Sequence, residues 1–274
     1  MTVAAHAVHA AHDTRAVLGR HLARIRRAPG LFLITQTMPL TLLLFFGYVF
    51  GSAVALPGDV DYRAYLVPGL FAVTAAGGLV TGMLQAAQDA GRGVTDRFRA
   101  LPVSRAAVPA GQAAADVLAT AVGLLPLALV GYAVGWRIES GPGAVLGILG
   151  LLLFFRLATV WVGIHLGLVI RDEAAAGQLA GSTFLVQLLS NAYIPTAGMA
   201  DWLRAAVEWN PISAVAAAVR RLSGDPAADL AAAPGAAWPM HHPVAASLAW
   251  SALLIAVFAP LAVRRHARGA ERSA

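Results

Sequence analysis

AVLGILGLLLFFRLATVWVGIHLGLVI, from Ala144 to Ile170, decides how the chain is folded, because one arginine, Arg156, interrupts an otherwise apolar run. Read as two pieces, the region between Ser140 and Ile170 falls short of the roughly 20 residues that a membrane-spanning helix needs. Read as one helix, opened by the turn at Gly141, Pro142 and Gly143, it crosses with Arg156 near the bilayer middle. We adopt the single helix. Placing an arginine there costs about 2.5–3.5 kcal/mol on insertion scales, so its guanidinium must face protein or water. Two roles fit: a contact in a substrate pathway, or a structural tie to carbonyls or a neighbouring polar group. His165 lies about half a turn out of phase with Arg156 on an ideal helix and reads as a hydrogen-bonded packing residue, not a second half of one site.

Outward from this span the same composition continues. Of 274 residues, 58% are hydrophobic and 12% charged, with a mean hydropathy of +0.69. A soluble domain carries about 25% charged residues, so the bilayer must absorb this apolar surface. Counting distances between charges gives five further spans: Leu31 to Ala55, Leu66 to Gln88, Val117 to Trp136, Ala174 to Pro195 and Val244 to Val263. All 20 basic residues are arginine, and cysteine is absent, which removes lysine chemistry, disulfides and thiolate sites. The pI near 10.7 reflects arginines in the termini and loops, a membrane-topology pattern rather than a nucleic-acid footprint.

Those arginines orient the chain. Arg15, Arg20, Arg24, Arg26 and Arg27 precede the first span, and Arg264, Arg265, Arg268 and Arg272 follow the last. By the positive-inside rule both termini are cytoplasmic, which demands an even number of spans. Six spans place 14 arginines inside and only Arg63, Arg137, Arg204, Arg220 and Arg221 outside.

The first 13 residues, with His6, His9 and His12, read as a disordered tail, with metal binding as the alternative; residues 266–274 read as a cytoplasmic tail. A secretory signal is not expected, since the first apolar run continues well past the usual 7–15 residues. From Thr14 to Ala28, Leu18, Leu22 and Ile25 share one helical face, and Arg20, Arg24 and Arg27 lie opposite, as in a helix lying in the headgroup plane.

Two loops are long enough to carry function. QDAGRGVTDRFRALPVSRAAVPAGQAAAD, Gln88 to Asp116, reads as a cytoplasmic helical hairpin, loosened at Gly91 and Gly93, with a charged helix from Asp96 to Ala100 stopped by Pro102 and Ser104 placed to cap the next helix. It is either a solvated connector or a docking knob for a cytosolic partner. On the outer side, Asn191 and Pro195 interrupt the fifth span. Beyond them Trp202, Ala206 and Trp209 share a face opposite Asp201, Arg204 and Glu208. Asn210 and Pro211 then break the chain, and Ile212, Val215, Val219 and Leu222 form an apolar stripe. Short re-entrant helices at the outer interface satisfy both patterns.

Gly47 and Gly51, Gly78 and Gly82, Gly163 and Gly167, and Gly177 and Gly181 have the GxxxG spacing that permits close helix approach, and a dimer seam is one use for it. Without lysine no GxxxxGK[ST] phosphate loop exists, HExxH is missing, and Gly181-Ser182 lacks the surroundings of a nucleophilic serine. Asp89 and Asp116 are placed at span edges, leaving no carboxylate within a span to relay protons or hold sodium. No metal site is expected.

Several motifs together resemble the permeases of ABC-2 type transporters, specifically the daunorubicin-resistance branch for multidrug and natural-product export in actinobacteria. They are a basic amphipathic helix entering a span with Pro39 and VFG (Val49 to Gly51), YLVPGL (Tyr65 to Leu70), GVTDRFRALPVSR (Gly93 to Arg105) and WNPIS (Trp209 to Ser213) after an IP break. The resemblance runs from about Arg15 to Arg265. It implies an all-α membrane fold and a half-transporter, two permease copies or homologues bound to two separate ATPase subunits that hold the ATP and Mg. It implies that Asp89, Gly93, Asp96, Arg97, Phe98, Arg99, Pro102 and Arg105 couple to the ATPase, braced by the amphipathic helix. Spans one and five would form much of the dimer interface and path, with the outer helices as a lid. Arg156 departs from the pattern, where an apolar or small residue is more usual. All-arginine usage is consistent with a GC-rich actinobacterial genome.

The expected activity is therefore export of a hydrophobic drug, antibiotic or lipid across the cytoplasmic membrane, driven by ATP hydrolysed elsewhere. The alternatives are export of a cell-envelope glycolipid or polymer, and a non-transport membrane anchor for a cytosolic ATPase. The spans, rich in Ala, Leu, Val and Gly, favour an apolar substrate, and nothing in the residue pattern points to an intramembrane enzyme.

Overall fold

The computed structural model describes residues 29–51, 54, 56–57, 60–91, 106–232 and 235–268. The N-terminal tail, the amphipathic segment with Arg20, Arg24 and Arg27, and the coupling residues Gly93, Asp96, Arg97, Phe98, Arg99, Pro102 and Arg105 lie outside the described residues. The described chain is helical, with no strand: α1 Pro29–Phe45, continued by a π-helical turn Phe46–Phe50, α2 Tyr62–Ala76, α3 Gly78–Gly91, α4 Ala107–Ala133, α5 Pro142–Ile170, α6 Glu173–Leu188, α7 Asp201–Trp209, α8 Pro211–Ser223, the single turns α9 Ala228–Ala231 and α10 Trp238–His241, and α11 Pro243–Arg268.

Among the described residues, four segments are long and apolar enough to cross a membrane: Tyr62–Gly91, Val108–Ala133, Pro142–Ile170 and Pro243–His266. The single-helix reading of the Arg156 segment holds. Gly141, at φ 83°, and Pro142 at the first helical position open α5, and a left-handed Arg171 (φ 58°) closes it by donating its amide to the Gly167 carbonyl. The other boundaries moved. The third span starts at Ala107, not after Asp116, because the alanine-rich approach is a strong helix former and Asp116 finds a partner inside the bundle. The segment expected as the fifth span is the 16-residue helix α6, which is not among those four and begins at the Asp172 cap accepting from the Ala175 amide at 2.7 Å. Its end near Leu188 falls short of the expected Pro195, since Ser190 and Asn191 turn inward.

α5 is the centre of the bundle, packed on α3, α11 and α4. Its contact with α3 is set by glycine. A Cβ on Gly163 would fall 2.2 Å from the Leu79 carbonyl oxygen, and one on Gly167 would fall 2.3 Å from that of Met83; the reciprocal positions Gly78 and Gly82 meet the Arg156 and Val160 carbonyls at 2.9 and 2.7 Å. Two of the four GxxxG pairs therefore face each other within one chain and are not a dimer seam. Leu66, Leu70, Phe155, Val215 and Val219 join α2, α5 and α8 in the main core.

Candidate functional site

Span two breaks for one residue at Gly77, between α2 and α3, and this break receives Arg156. The guanidinium donates Nη1 to the Thr74 carbonyl (2.9 Å), Nη2 to Thr81 Oγ1 (2.9 Å) and to Asp116 Oδ2 (3.0 Å), and Nε to Asp116 Oδ1. Thr81 in turn donates to Asp116 Oδ2 at 2.7 Å, and Thr159, one turn from Arg156, donates to the Ala75 carbonyl at 3.0 Å. Arg156 is 7% exposed. Its charge is thus neutralised by Asp116 and its donors are shared with α2 and α3. The sequence reading had set Asp116 at a span edge and missed the pair; the helical phase of 116 against 156 is invisible until the two helices are docked.

Towards the other end of the same helices, a second polar cluster fixes the break after α6. Asn191 is 2% exposed; its backbone amide donates to Ser213 Oγ (2.9 Å), and its carbonyl accepts from the Tyr65 hydroxyl (2.8 Å) and from Arg220 Nη2 (3.1 Å). Arg220, placed outside by sequence, is fully buried, stacked 3.9 Å from the Tyr65 ring centroid and bonded to the Tyr65 carbonyl at 3.2 Å. Asn210 caps α8 through the Ile212 amide and donates to the Val186 and Leu189 carbonyls at 3.0 and 2.7 Å, satisfying acceptors at the frayed end of α6. Pro211 follows as the first residue of α8, and Pro195 precedes the short 3₁₀ turn Thr196–Gly198.

Helix α7 presents its tryptophans outward, Trp202 at 76% and Trp209 at 52% exposure, as an interfacial helix does. On its opposite, charged side Asp201 is exposed, but Glu208 is 1% exposed and accepts from Arg204, Thr196 and the Ala237 amide. Burial drives its carboxyl pKa up, but these hydrogen bonds and the Arg204 charge outweigh that and hold it below the usual range.

Between the two clusters lies an apolar cavity of about 190 Å³. Its wall is Ala76 and Leu79 at the span-two break, Phe155, Thr159 and Val162 from α5, Thr183, Val186 and Gln187 from α6, Asn210, Pro211 and Ile212 at the start of α8, and Leu254 from α11. An apolar pocket with a few hydroxyl and amide groups suits a greasy molecule and offers no nucleophile. Among the described residues, no three His, Asp or Glu gather to hold a metal.

The sequence profile of the ABC-2 type transporter family matches residues 12–222, most of the chain. The chain belongs to that family. This permease is also 30% identical, over 250 residues covering 91% of its own length and 84% of the relative's, to the daunorubicin resistance ABC transporter permease protein DrrB1 of Streptomyces coeruleorubidus. Of the residues expected to couple an ABC-2 permease to its ATPase, Asp89 is the one within the described residues, in the last turn of α3. Arg156, Asn191 and Pro195 do not form one site: the first belongs to the polar cluster at the Gly77 break and the second to the Arg220 cluster.

Proposed function

We infer that the permease exports a hydrophobic drug, antibiotic or lipid, using ATP hydrolysed by separate subunits that bind the nucleotide and Mg. The observation that carries this reading is the similarity, over most of both chains, to a drug-resistance permease, and the apolar cavity supports it by offering a surface that a greasy solute prefers to water. Two permease copies and two ATPases form the working unit, in the cytoplasmic membrane with both termini inside. The six-span count takes α1 with its π-helical turn and α6 as spans one and five. Both lie at the margin of the bundle and leave Leu44, Phe45, Tyr48, Leu185 and Val186 exposed, apolar surface suited to lipid or to a second copy. Gly93, Asp96, Arg97, Phe98, Arg99, Pro102 and Arg105 engage the ATPase, with Asp89 at the root of that loop; the Arg20, Arg24 and Arg27 helix braces it. Trp202 and Trp209 hold the outer helix at the membrane surface.

The test is co-reconstitution into vesicles with the cognate ATPase and a fluorescent hydrophobic amphiphile. ATP-dependent movement that needs both proteins supports export. ATPase binding without flux would identify an anchor and overturn the reading.

A further inference from the structure

Three segments of the chain meet around one buried cation. Residues 190–193, directly after α6, are seated on α2. Gly69 admits the Ala192 carbonyl, whose oxygen a Cβ would approach to 2.0 Å, and the Tyr62 and Tyr65 hydroxyls donate to the Tyr193 and Asn191 carbonyls at 2.9 and 2.8 Å. Arg220 of α8 holds this seat shut. Its Nη2 donates to the Asn191 carbonyl at 3.1 Å and to the Tyr65 carbonyl at 3.2 Å, and its Nη1 reaches Asn191 Oδ1 at 3.4 Å.

Those partners are all neutral. Among the described residues Arg220 makes no ion pair, although it is fully buried, and its Nε–H has no acceptor. Its complement stands one turn on. The Asp225 amide donates to the Arg220 carbonyl at 3.0 Å, which folds the turn through Gly224 (φ 75°) back onto the end of α8. Asp225 is 8% exposed; its Oδ1 accepts from the Ala227 amide at 2.8 Å, and its Oδ2 has no partner. Burial pushes the Asp225 carboxyl up, the Ala227 amide and the Arg220 charge pull against that, and Glu139 adds to the rise, so the guanidinium already acts on this carboxylate without touching it. Buried polar groups are nearly always paired. A cation held by neutral dipoles and a carboxylate oxygen left open, on one turn, are two halves of an ion pair that this conformation does not make.

We propose that Arg220 is a latch with two stations: on Asn191 and Tyr65 it closes residues 190–193 onto α2, and on Asp225 it releases them. The exchange replaces one set of charge-assisted hydrogen bonds with another, so neither station strands the guanidinium. Residues 190–193 follow Val186 and Gln187, which wall the cavity between α5 and α6. Release therefore opens that end of the cavity, a consequence for transport that rests on the export reading.

The latch itself is tested without transport. Ser190 is 1% exposed and the chain has no cysteine, so S190C places a single thiol of nearly the same shape in the latched segment. The rate at which a charged maleimide labels it, in the full-length permease in detergent without ATPase, reads the released population. Labelling is expected to be slow but to run to completion. D225N keeps Oδ1 for the Ala227 amide and removes the charge of the second station, and N191D adds a charge at the first. Each is expected to slow labelling at least about fivefold, whereas R220Q, which removes the latch, speeds it by a similar factor. A loosened fold speeds labelling, so slowing is a change that destabilisation does not produce, and D225N and N191D decide the matter even where R220Q fails to fold. No labelling of the S190C protein, or labelling of D225N or N191D at or above its rate, overturns the latch. Labelling as expected in a permease that moves no amphiphile would keep the latch and remove only the export reading.

Discussion

Replace Arg156 with leucine, Asp116 with leucine, and then both. Arg156 and Asp116 have side chains 8% and 14% exposed, so the charge left behind in either single variant has little water to turn to. In R156L, Asp116 keeps one donor, Thr81; in D116L, Arg156 keeps the Thr74 carbonyl and Thr81 Oγ1. Breaking a buried ion pair from one side costs about 3–5 kcal/mol, whereas replacing the whole pair with apolar residues is often neutral or stabilising. The double variant is therefore expected within about 1 kcal/mol of wild type, and the cycle returns a coupling energy of several kcal/mol. Unfolding titrated by a denaturing detergent in mixed micelles, followed by near-UV circular dichroism, measures all four proteins. If the two single losses simply added in the double variant, the tie between α4 and α5 would not be what holds Arg156 in the bundle. Transport in the double variant separates roles further: full flux assigns the pair to folding, while a stable protein without flux makes the arginine part of the path.

Gly163→Val and Gly167→Val drive a side chain into the α3 backbone and are expected to abolish monodisperse expression in fluorescence-detected size-exclusion chromatography, whereas Gly177→Ala and Gly181→Ala, with nothing within 4 Å of a new Cβ, leave it unchanged. Glu208 is held below its unfolded pKa, so its stabilisation is complete above about pH 4.3 and disappears as pH falls through its lower folded value. The thermal midpoint of wild type is thus expected to fall more steeply than that of E208Q between neutral pH and pH 3. Val162→Trp, aimed into the cavity between α5 and α6, is expected to cut vesicle flux while ATPase association persists; undiminished flux would remove the cavity from the pathway. Arg97→Glu or Arg99→Glu is expected to leave ATP hydrolysis running without transport, read by comparing phosphate release with flux.

The apolar runs made the fold class and the central helix legible because spans of this length have few alternatives in lipid. Pro142 behind Gly141 marked where α5 starts, and the stripe Ile212, Val215 and Val219 marked the buried side of α8. Asp116 was placed at a span edge, Glu208 on the charged face of an interfacial helix and Arg220 on the outer side of the membrane, and the structure shows that the side chains of all three are buried among partners the sequence does not name. Charge reveals that a partner is needed but not which helix supplies it, and Arg156 alone announced itself because it stood deep in a span.

The glycine pairs show the same asymmetry from the other side. Spacing identifies four candidates for close helix approach without ranking them, because GxxxG describes a groove and not its occupant. The structure fills two of those grooves with each other, locking α3 to α5 where the Arg156 cluster also joins them, so backbone contact and ion pairing reinforce one seam. Next to that seam, α6 carries the groove at Gly177 and Gly181 open. α6 is held through the Asn210 amide at one end, through the Gln88–Glu173 hydrogen bond of 2.9 Å at the other, and by Ala176 and Ala180 packed with Met83 and Ala87 of α3. The cavity lies instead against the last turns of α6, at Thr183, Val186 and Gln187, where Asn210 holds the Val186 carbonyl, so a solute there meets the anchored end of α6 and the α5 wall together.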